Sequence, residues 1–248
     1  GCGSDAVRCV YMSDGTLQGF TLTGGATDAS GGATGEDFGG GLAAESGSNA
    51  TVIDCVISNN IASVRGGGVS LGYLHRCWIA DNHLAFGGSF GSGVRGSTVY
   101  DSVVTGNGAP SAIAFGTLHN VTAYNTSPVQ QSDVWNSILI NPTGDAYIST
   151  SDDRKVYSSC LSGTLRTPNN GGSNIFSDPY FIDPAARDFR LHKASPCVDS
   201  GNVAYGPNRL GLDYAGQPRL QGANIDRGAY EGGLGGLRVL AQGSGGGA

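Results

Sequence analysis

The chain has 248 residues, 43 of them glycine, and its 20 acidic and 14 basic residues give a formal net charge of −6 at pH 7. This acidic balance disfavours nucleic acid and anionic membrane as main partners, because both bind a basic protein face. The chain contains no run of about 18 apolar residues, so no membrane-spanning segment is predicted. It also has no long stretch with the 3.6-residue apolar spacing of a helix, which excludes most α and α/β classes.

A ten-residue phrase recurs along the chain, most clearly at 51–60, 73–82 and 98–107, with weaker copies starting at 16, 117, 133 and 155. The first apolar residues of the copies are, in chain order, Leu17, Val52, Leu74, Val99, Leu118, Val134 and Val156. A period near 20 with β-branched cores and Gly or Asn between them is typical of a solenoid. Because one copy is too short to bury its own apolar face, the copies must stack. The sequence predicts an all-β solenoid of about seven coils.

Each coil is expected to contain a strand, an Asn turn, a variable loop and a Gly-rich strand. Alternation along the first strand predicts two inward columns, three and five positions after the first apolar residue. The columns are Phe20, Cys55, Cys77, Ser102, Val121, Ser137 and Ser159, and Leu22, Ile57, Ile79, Val104, Ala123, Leu139 and Leu161. The turn residues, which tolerate left-handed backbone and can hydrogen-bond along the stack, are Asn59, Asn60, Asn82, Asn107, Asn125 and Asn141.

A third column, four positions after the first apolar residue, is predicted to point outward although it is largely apolar. It comprises Thr21, Val56, Trp78, Val103, Thr122, Ile138 and Cys160. An exposed apolar strip of this length needs a cover. We therefore expect coils at 1–163, a C-terminal cover at 164–232 and a flexible Gly/Ser-rich tail at 233–248. The side chains expected to fasten the cover are Ile175, Phe176, Tyr180, Phe181, Phe189 and Leu191.

The six cysteines suggest disulfides if the chain is secreted. Cys160 ends the outward strip and Cys197 lies in the cover, so a bond between them is predicted to fasten the cover. Cys55 and Cys77 share an inward column on successive coils, where either a disulfide or two buried free thiols fits, and free thiols are preferred. Two further cysteines, close enough in sequence to close a small loop, are Cys2 and Cys9.

Three charged residues are expected on adjacent coils, with the arginine Arg76 between the acids Asp54 and Asp101. One interpretation is a sugar-acid or Ca²⁺ site, in which these residues would be the catalytic candidates of an enzyme. A polysaccharide lyase needs a cation and a base, and a glycoside hydrolase needs two carboxylates facing one bond. The preferred interpretation is a charge pairing at a coil corner, because Arg76 would partly neutralise the acids.

Five consecutive coils carry a ring one position after the first apolar residue. These rings belong to His75, Tyr100, His119, Trp135 and Tyr157. Coil stacking would place them about 4.8 Å apart in an aromatic strip. An exposed strip would bind a glycan by ring stacking, whereas a half-buried strip would be corner packing, and packing is preferred.

No cofactor is predicted. The Asp- and Asn-rich stretch at 199–213 offers the oxygen ligands that Ca²⁺ prefers, so a structural Ca²⁺ is an alternative, but its spacing matches no standard Ca²⁺ loop. Hydrogen-bonded turns are the preferred interpretation of this stretch.

The repeat phrases resemble those of known bacterial proteins. Cys55–Asn60 followed by Gly66–Val69 is similar to the repeats of right-handed parallel β-helix proteins and to the motifs of polymorphic outer-membrane proteins. The tail phrases similar to the C-terminal region of secreted choice-of-anchor Q proteins are 177–184, 188–191, 195–201, 216–219 and 226–231. The resemblance implies a right-handed parallel β-helix and a secreted location, but no single activity, because the fold hosts many functions.

The expected function is that of a non-catalytic extracellular module of a bacterial surface or secreted protein. It would serve as a stalk, an adhesin or a glycan-contacting surface, with a glycan or another cell-surface ligand as partner and no insertion into the membrane. The alternative is a carbohydrate-active enzyme, either a polysaccharide lyase or a glycoside hydrolase. Because the chain starts at Gly1 without Met, we expect it to be a piece of a longer protein with flanking domains.

Overall fold

The computed structural model describes residues 2–28, 37–85, 90–124, 127–205 and 211–232. Within them, short strands form three sheets whose pairings are all parallel, and each full coil gives one strand to each sheet. The first sheet comprises Val10–Met12, Leu42–Ala44, Val69–Ser70, Val94–Arg95, Ile113–Ala114, Val129–Gln130 and Tyr147–Ile148. The second comprises Thr16–Gln18, Thr51–Ile53, Tyr73–His75, Thr98–Tyr100, Thr117–His119, Asp133–Trp135, Val156–Tyr157 and Asn170–Gly172. The third comprises Thr21–Thr23, Val56–Ser58, Trp78–Ala80, Val103–Thr105, Thr122–Tyr124, Ile138–Ile140 and Cys160–Leu161.

The register of the second sheet matches the predicted repeat. Its strands align the seven first apolar residues in one column, from Leu17 opposite Val52 to Val134 opposite Val156. The fold prediction is therefore confirmed: the chain is a right-handed parallel β-helix with an irregular C-terminal covering segment. One further strand, Asn170–Gly172, adds to the second sheet after residue 163.

Smaller elements lie outside the three sheets. Ile61–Ala62 pairs in parallel with His83–Leu84, and Phe181–Asp183 pairs antiparallel with Asp188–Leu191 in the covering segment. Two 3₁₀ turns, Thr167–Asn169 and Val203–Tyr205, are the helical elements of the described residues. No helix in this part of the chain has the length and hydropathy that a membrane crossing requires.

The inward columns form one continuous core. Val52, Ile57, Ile79, Val104 and Leu139 are each fully buried, and they stack on their counterparts in neighbouring coils. The prediction for the first coil is wrong in one place. Phe20 is 56% exposed, because it lies in the terminal coil at the position where later coils place a small residue.

One left-handed residue forms the corner between the second and third sheets in every full coil. The corner residues, whose φ angles lie between 47° and 77°, are Gly19, Asp54, Arg76, Asp101, Asn120, Asn136 and Ser158. Gly, Asn and Asp tolerate this conformation best, which explains the composition of the column. The corner also interrupts strand alternation, so the first apolar residue and the residue three positions later both face inward.

An asparagine ladder runs through the stack beside the core. Asn60 Nδ2 donates to Asn82 Oδ1, and Asn82 Nδ2 donates to Asn107 Oδ1, each at 3.0 Å. A Cβ added to Gly68 would lie 2.9 Å from Asn82 Nδ2, so the Gly-rich strand leaves room for the ladder. The predicted hydrogen bonding along the stack is confirmed for these residues, whereas Asn125 lies outside the described residues.

The covering segment packs on the outward face of the third sheet. Phe189 is 1% exposed and stacks on Trp78 at 6.0 Å between ring centroids. A second layer follows, in which Ala229 N donates to Thr122 Oγ1 at 2.9 Å. The outward strip is buried from Val103 onward, as the sequence predicts.

Three predicted features of the cover are wrong. Val56, expected beneath it, is 37% exposed because the covering contacts begin one coil later, at Trp78. Phe176 and Tyr180, expected to fasten the cover, are 51% and 52% exposed. The other expected fasteners, Ile175, Phe181, Phe189 and Leu191, pack against the third sheet.

Candidate functional site

The predicted aromatic strip is present. Its four neighbouring pairs have ring centroids 4.6 to 6.0 Å apart and interplanar angles of 7° to 10°. From His75 to Tyr157, each ring therefore stacks face to face on the ring of the next coil. His75 is buried, and the other four rings are partly buried.

This strip offers edges, rather than faces, to solvent. At one end, Tyr205 lies 5.4 Å from the ring of Tyr157, and a Cβ added to Gly171 would meet that ring at 2.2 Å. Burial lowers the pKa of His119, whose Nδ1 lies 3.2 Å from the carbonyl oxygen of Tyr205. Sugar stacking needs an open ring face, so the geometry favours corner packing for this strip.

The three predicted corner charges separate into two environments. Arg76 forms a bidentate pair with Asp54, Nε to Oδ1 at 2.7 Å and the terminal nitrogen to Oδ2 at 2.9 Å. Hydrogen bonding from Arg76 lowers the pKa of Asp54. Asp101, on the next coil, has a fully buried side chain, so the two acids do not face one open site.

Asp101 instead belongs to a buried cluster formed with the covering segment. Arg219 Nε lies 3.4 Å from Asp101 Oδ1 and 3.4 Å from Glu231 Oε1. Burial raises the pKa of Asp101 to about 7 and that of Glu231 to about 8, despite the attraction of Arg219. This cluster joins the cover to the coils and is closed to a substrate.

All six cysteines are free thiols in this structure. Cys160 and Cys197 are nevertheless both fully buried, pack in one cluster and interact through a side-chain hydrogen bond. The pKa of Cys160 is lowered, mainly by that hydrogen bond. The bond itself stays a prediction.

The other cysteines occupy separate environments. Cys55 and Cys77 are buried free thiols, the preferred interpretation of their column, and burial raises the pKa of Cys77 to about 12. The predicted loop closure at the N-terminus is not formed. Cys2 Sγ lies 3.9 Å from the carbonyl oxygen of Ile61, whereas Cys9 Sγ contacts Asn60 Oδ1 at 3.6 Å.

An open groove of about 800 Å³ lies between the third sheet and residues 176–184 of the cover. Tyr124, Ile140 and Leu161 line it from the coils. Phe176 and Tyr180 line it from the cover. Neither of these two rings has an aromatic stacking partner among the described residues.

The backbone of Tyr180 is held by hydrogen bonds at this groove. Its backbone is left-handed, with φ of 51°, which is unusual for a bulky residue. Its amide donates to Asp178 Oδ1 at 2.7 Å, and its carbonyl oxygen accepts from the amide of His192 at 2.9 Å. Strained backbone that is held by its surroundings is frequent at binding sites.

The turn that carries Tyr180 is also fixed from beneath. Cys160 Sγ contacts the carbonyl oxygen of Ser177 at 3.1 Å, and Ser195 Oγ donates to the carbonyl oxygen of Pro179 at 2.6 Å. The backbone that carries Tyr180 is therefore held in place before any ligand arrives, which reduces the entropy lost on binding.

The groove carries little charge. Among its described lining residues, Asp178 is the single carboxylate and there is no lysine or arginine. His192 is the one histidine among these described lining residues. Because anionic ligands bind where cations converge, this composition favours an uncharged ligand.

Sequence reasoning assigned Phe176 and Tyr180 to packing and so missed this groove. A signal was present: Asp178 followed by Pro179 is typical of a side-chain-capped turn, and turn tips lie at the surface. Nothing local, however, indicated that a groove would open beside the turn.

No group of three or more His, Cys, Asp or Glu side chains among the described residues is arranged to hold a metal ion. The Asp- and Asn-rich stretch considered for Ca²⁺ includes residues 206–210, which lie outside the described residues.

No protein-family model matches the chain, and no curated protein matches its sequence. The similarity to polymorphic outer-membrane and choice-of-anchor Q proteins therefore depends on the quoted phrases alone.

Proposed function

We propose that the protein is a non-catalytic extracellular β-helix module that contacts glycans through the groove beside Phe176 and Tyr180. The observation that carries this proposal is a tyrosine, 52% exposed, whose backbone is held by hydrogen bonds at the wall of the open groove. Small-ligand sites combine apolar and aromatic walls with a few fixed polar groups. A sugar ring has an apolar face and a rim of hydroxyls, which fits that combination.

The geometry argues against the enzyme alternative. Glycoside hydrolysis uses two carboxyl groups on either side of the bond, but the described lining of the groove has one, Asp178. A lyase needs a cation to neutralise a uronate as well as a base. Asp54 and Arg76 are hydrogen-bonded to each other, and Asp101 is buried, so the two acids do not face one open site.

An extracellular bacterial location belongs to the same proposal. It is supported by the similarity of the repeats and tail phrases to secreted and surface proteins, and by a rigid solenoid that can hold a contact surface away from its point of attachment.

The proposal predicts glycan binding that depends on Tyr180. On a glycan array, the full chain should bind neutral glycans, and Tyr180→Ala should weaken that binding about tenfold or more, as removal of a central aromatic contact does. Tyr11→Ala is the matched control, because Tyr11 is 60% exposed but lies on the first strand, outside the groove.

A cleavage assay on the same polysaccharides completes the test. Release of new reducing ends or of unsaturated products by the purified chain would contradict the non-catalytic assignment. Equal loss of binding in the Tyr180 and Tyr11 variants would contradict the assignment of the groove.

A further inference from the structure

A second, smaller cavity continues the groove along the third sheet. It has a volume of about 310 Å³ and is lined by Thr105, Tyr124, Pro184, Ala185 and Arg187. Tyr124 and Pro184 also line the groove, so the two cavities meet at these side chains. The two cavities are therefore neighbours along the third sheet, and together they are called the channel.

This channel runs along the solenoid axis. Thr105 pairs with Tyr124 and Tyr124 pairs with Ile140, so these three lining residues hold the same position in successive coils. The next coil adds Ser162, which directly follows the pairing of Leu139 with Leu161. Four coils therefore contribute equivalent positions, at a spacing of about 4.8 Å.

That spacing is close to the advance of one sugar unit along an extended glycan. We propose, on the basis of the proposed function, that the channel binds a linear, uncharged glycan of about four units laid parallel to the solenoid axis, with Tyr180 at one subsite and Arg187 at the distal one. A repeating ligand would meet one equivalent position of the third sheet at each unit, namely Thr105, Tyr124, Ile140 and Ser162.

Arg187 is suited to the distal subsite. Its two terminal nitrogens donate to the two carboxylate oxygens of Asp81, each at 2.8 Å, and its side chain stays 43% exposed. Because Asp81 balances its charge, the guanidinium can donate to sugar hydroxyls without demanding an anion. Its backbone is left-handed, with φ of 60°, like that of Tyr180.

The test is the dependence of affinity on chain length. Cello-, xylo-, manno- and chito-oligosaccharides of two to six units are titrated into the full chain by calorimetry. For the series that binds, affinity should rise about tenfold or more from two to four units, as each added unit finds its own contacts, and then level off. An affinity that is constant from two units upward would overturn the inference while leaving the proposed function intact.

Variants locate the distal subsite. Arg187→Ala should weaken binding of the tetramer about fivefold, the effect of losing one hydrogen bond, and leave the dimer unchanged. Tyr180→Ala should weaken both. The matched control is Arg190→Ala, because Arg190 forms a similar exposed pair with Asp188 but does not line either cavity.

Two results would count against the inference in different ways. Equal effects of the Arg187 and Arg190 variants on the tetramer would show that the smaller cavity is not part of the site. Absence of binding by every series at every length would overturn the proposed function and this inference together.

Discussion

Single residues decide where each coil turns. The corner position is left-handed in every full coil, and the residues found there are mostly Gly, Asn and Asp, which accept that conformation at low cost. Arg76 departs from this preference, but its side chain is held by the bidentate pair with Asp54. The requirement for a left-handed corner residue thus explains the corner column, whose members Asp54, Arg76 and Asp101 also resembled a charged site in the sequence.

The core column supports a prediction on stability. Ile79 is fully buried between Ile57 and Val104 of the neighbouring coils. Ile79→Ala should lower the free energy of unfolding by about 2–5 kcal/mol, because it leaves a cavity that the stacked strands cannot close. Urea denaturation measures the change.

The control for this measurement is Leu220→Ala, which removes a side chain that is 58% exposed and should change stability by less than about 0.5 kcal/mol. A loss below about 1 kcal/mol for Ile79→Ala would mean that the inward column does not form the core.

At the scale of elements, the covering segment completes the solenoid. It contacts the apolar outward strip of the third sheet from Trp78 onward, buries it from Val103 onward, and shapes the groove with its own 176–184 turn. Leu191 and Cys197 pack in one cluster with Ile138 and Cys160, next to that turn. The same contacts therefore stabilise the cover and position Tyr180.

We expect Cys160 and Cys197 to form a disulfide in an oxidising compartment. Both are buried and already joined by a hydrogen bond, and closing the 37-residue span (197 − 160) would contribute about 3–4 kcal/mol in the chain-entropy account. A non-reduced digest of oxidised protein, alkylated after denaturation, should yield their two peptides as one linked species in mass spectrometry.

Cys55 and Cys77 are the internal comparison, since both should be alkylated as free thiols once the chain is unfolded. Alkylation of Cys160 and Cys197 to the same extent would contradict the predicted bond.

At the scale of the whole molecule, a buried charge cluster joins the coils to the cover. Asp101 comes from the coils, whereas Arg219 and Glu231 come from the end of the cover. Burial also raises the pKa of Asp213 and of Asp226, which lie in the same region. The cluster holds more carboxyl groups than its arginine can balance.

Stability should therefore fall as pH rises from about 6.5 to about 8. The folded pKa values of Asp101 and Glu231, about 7 and about 8, lie above their unfolded values. The folded state thus binds more protons in this window, and raising the pH weakens it. The lowered pKa of His119 has the opposite effect, but only below its unfolded value, about 6.5.

Thermal unfolding at pH values across this range measures how much stability falls with rising pH, and Glu231→Gln should make that fall smaller. Glutamine keeps an oxygen that can accept the Asp226 amide, which donates to Glu231 Oε1 at 2.9 Å. A slope unchanged by this variant would show that Glu231 does not titrate in the window.

The sequence by itself determined the solenoid, its register, the aromatic stack and the need for a cover. Those features follow from residues that recur at a near-regular spacing, because equivalent residues in each copy of the repeat occupy the same local environment. The positions of Leu17 to Val156 could thus be aligned without a structure.

Only the tertiary structure decided which aromatic rings have a face that is open to a ligand. The stacked rings from His75 to Tyr157 occupy one another's faces, whereas Phe176 and Tyr180 look like packing residues in the sequence but line an open groove. The physical reason is that the exposure of a ring depends on what lies across from it. In the covering segment that neighbour comes from a distant part of the chain and has no repeating pattern to predict it.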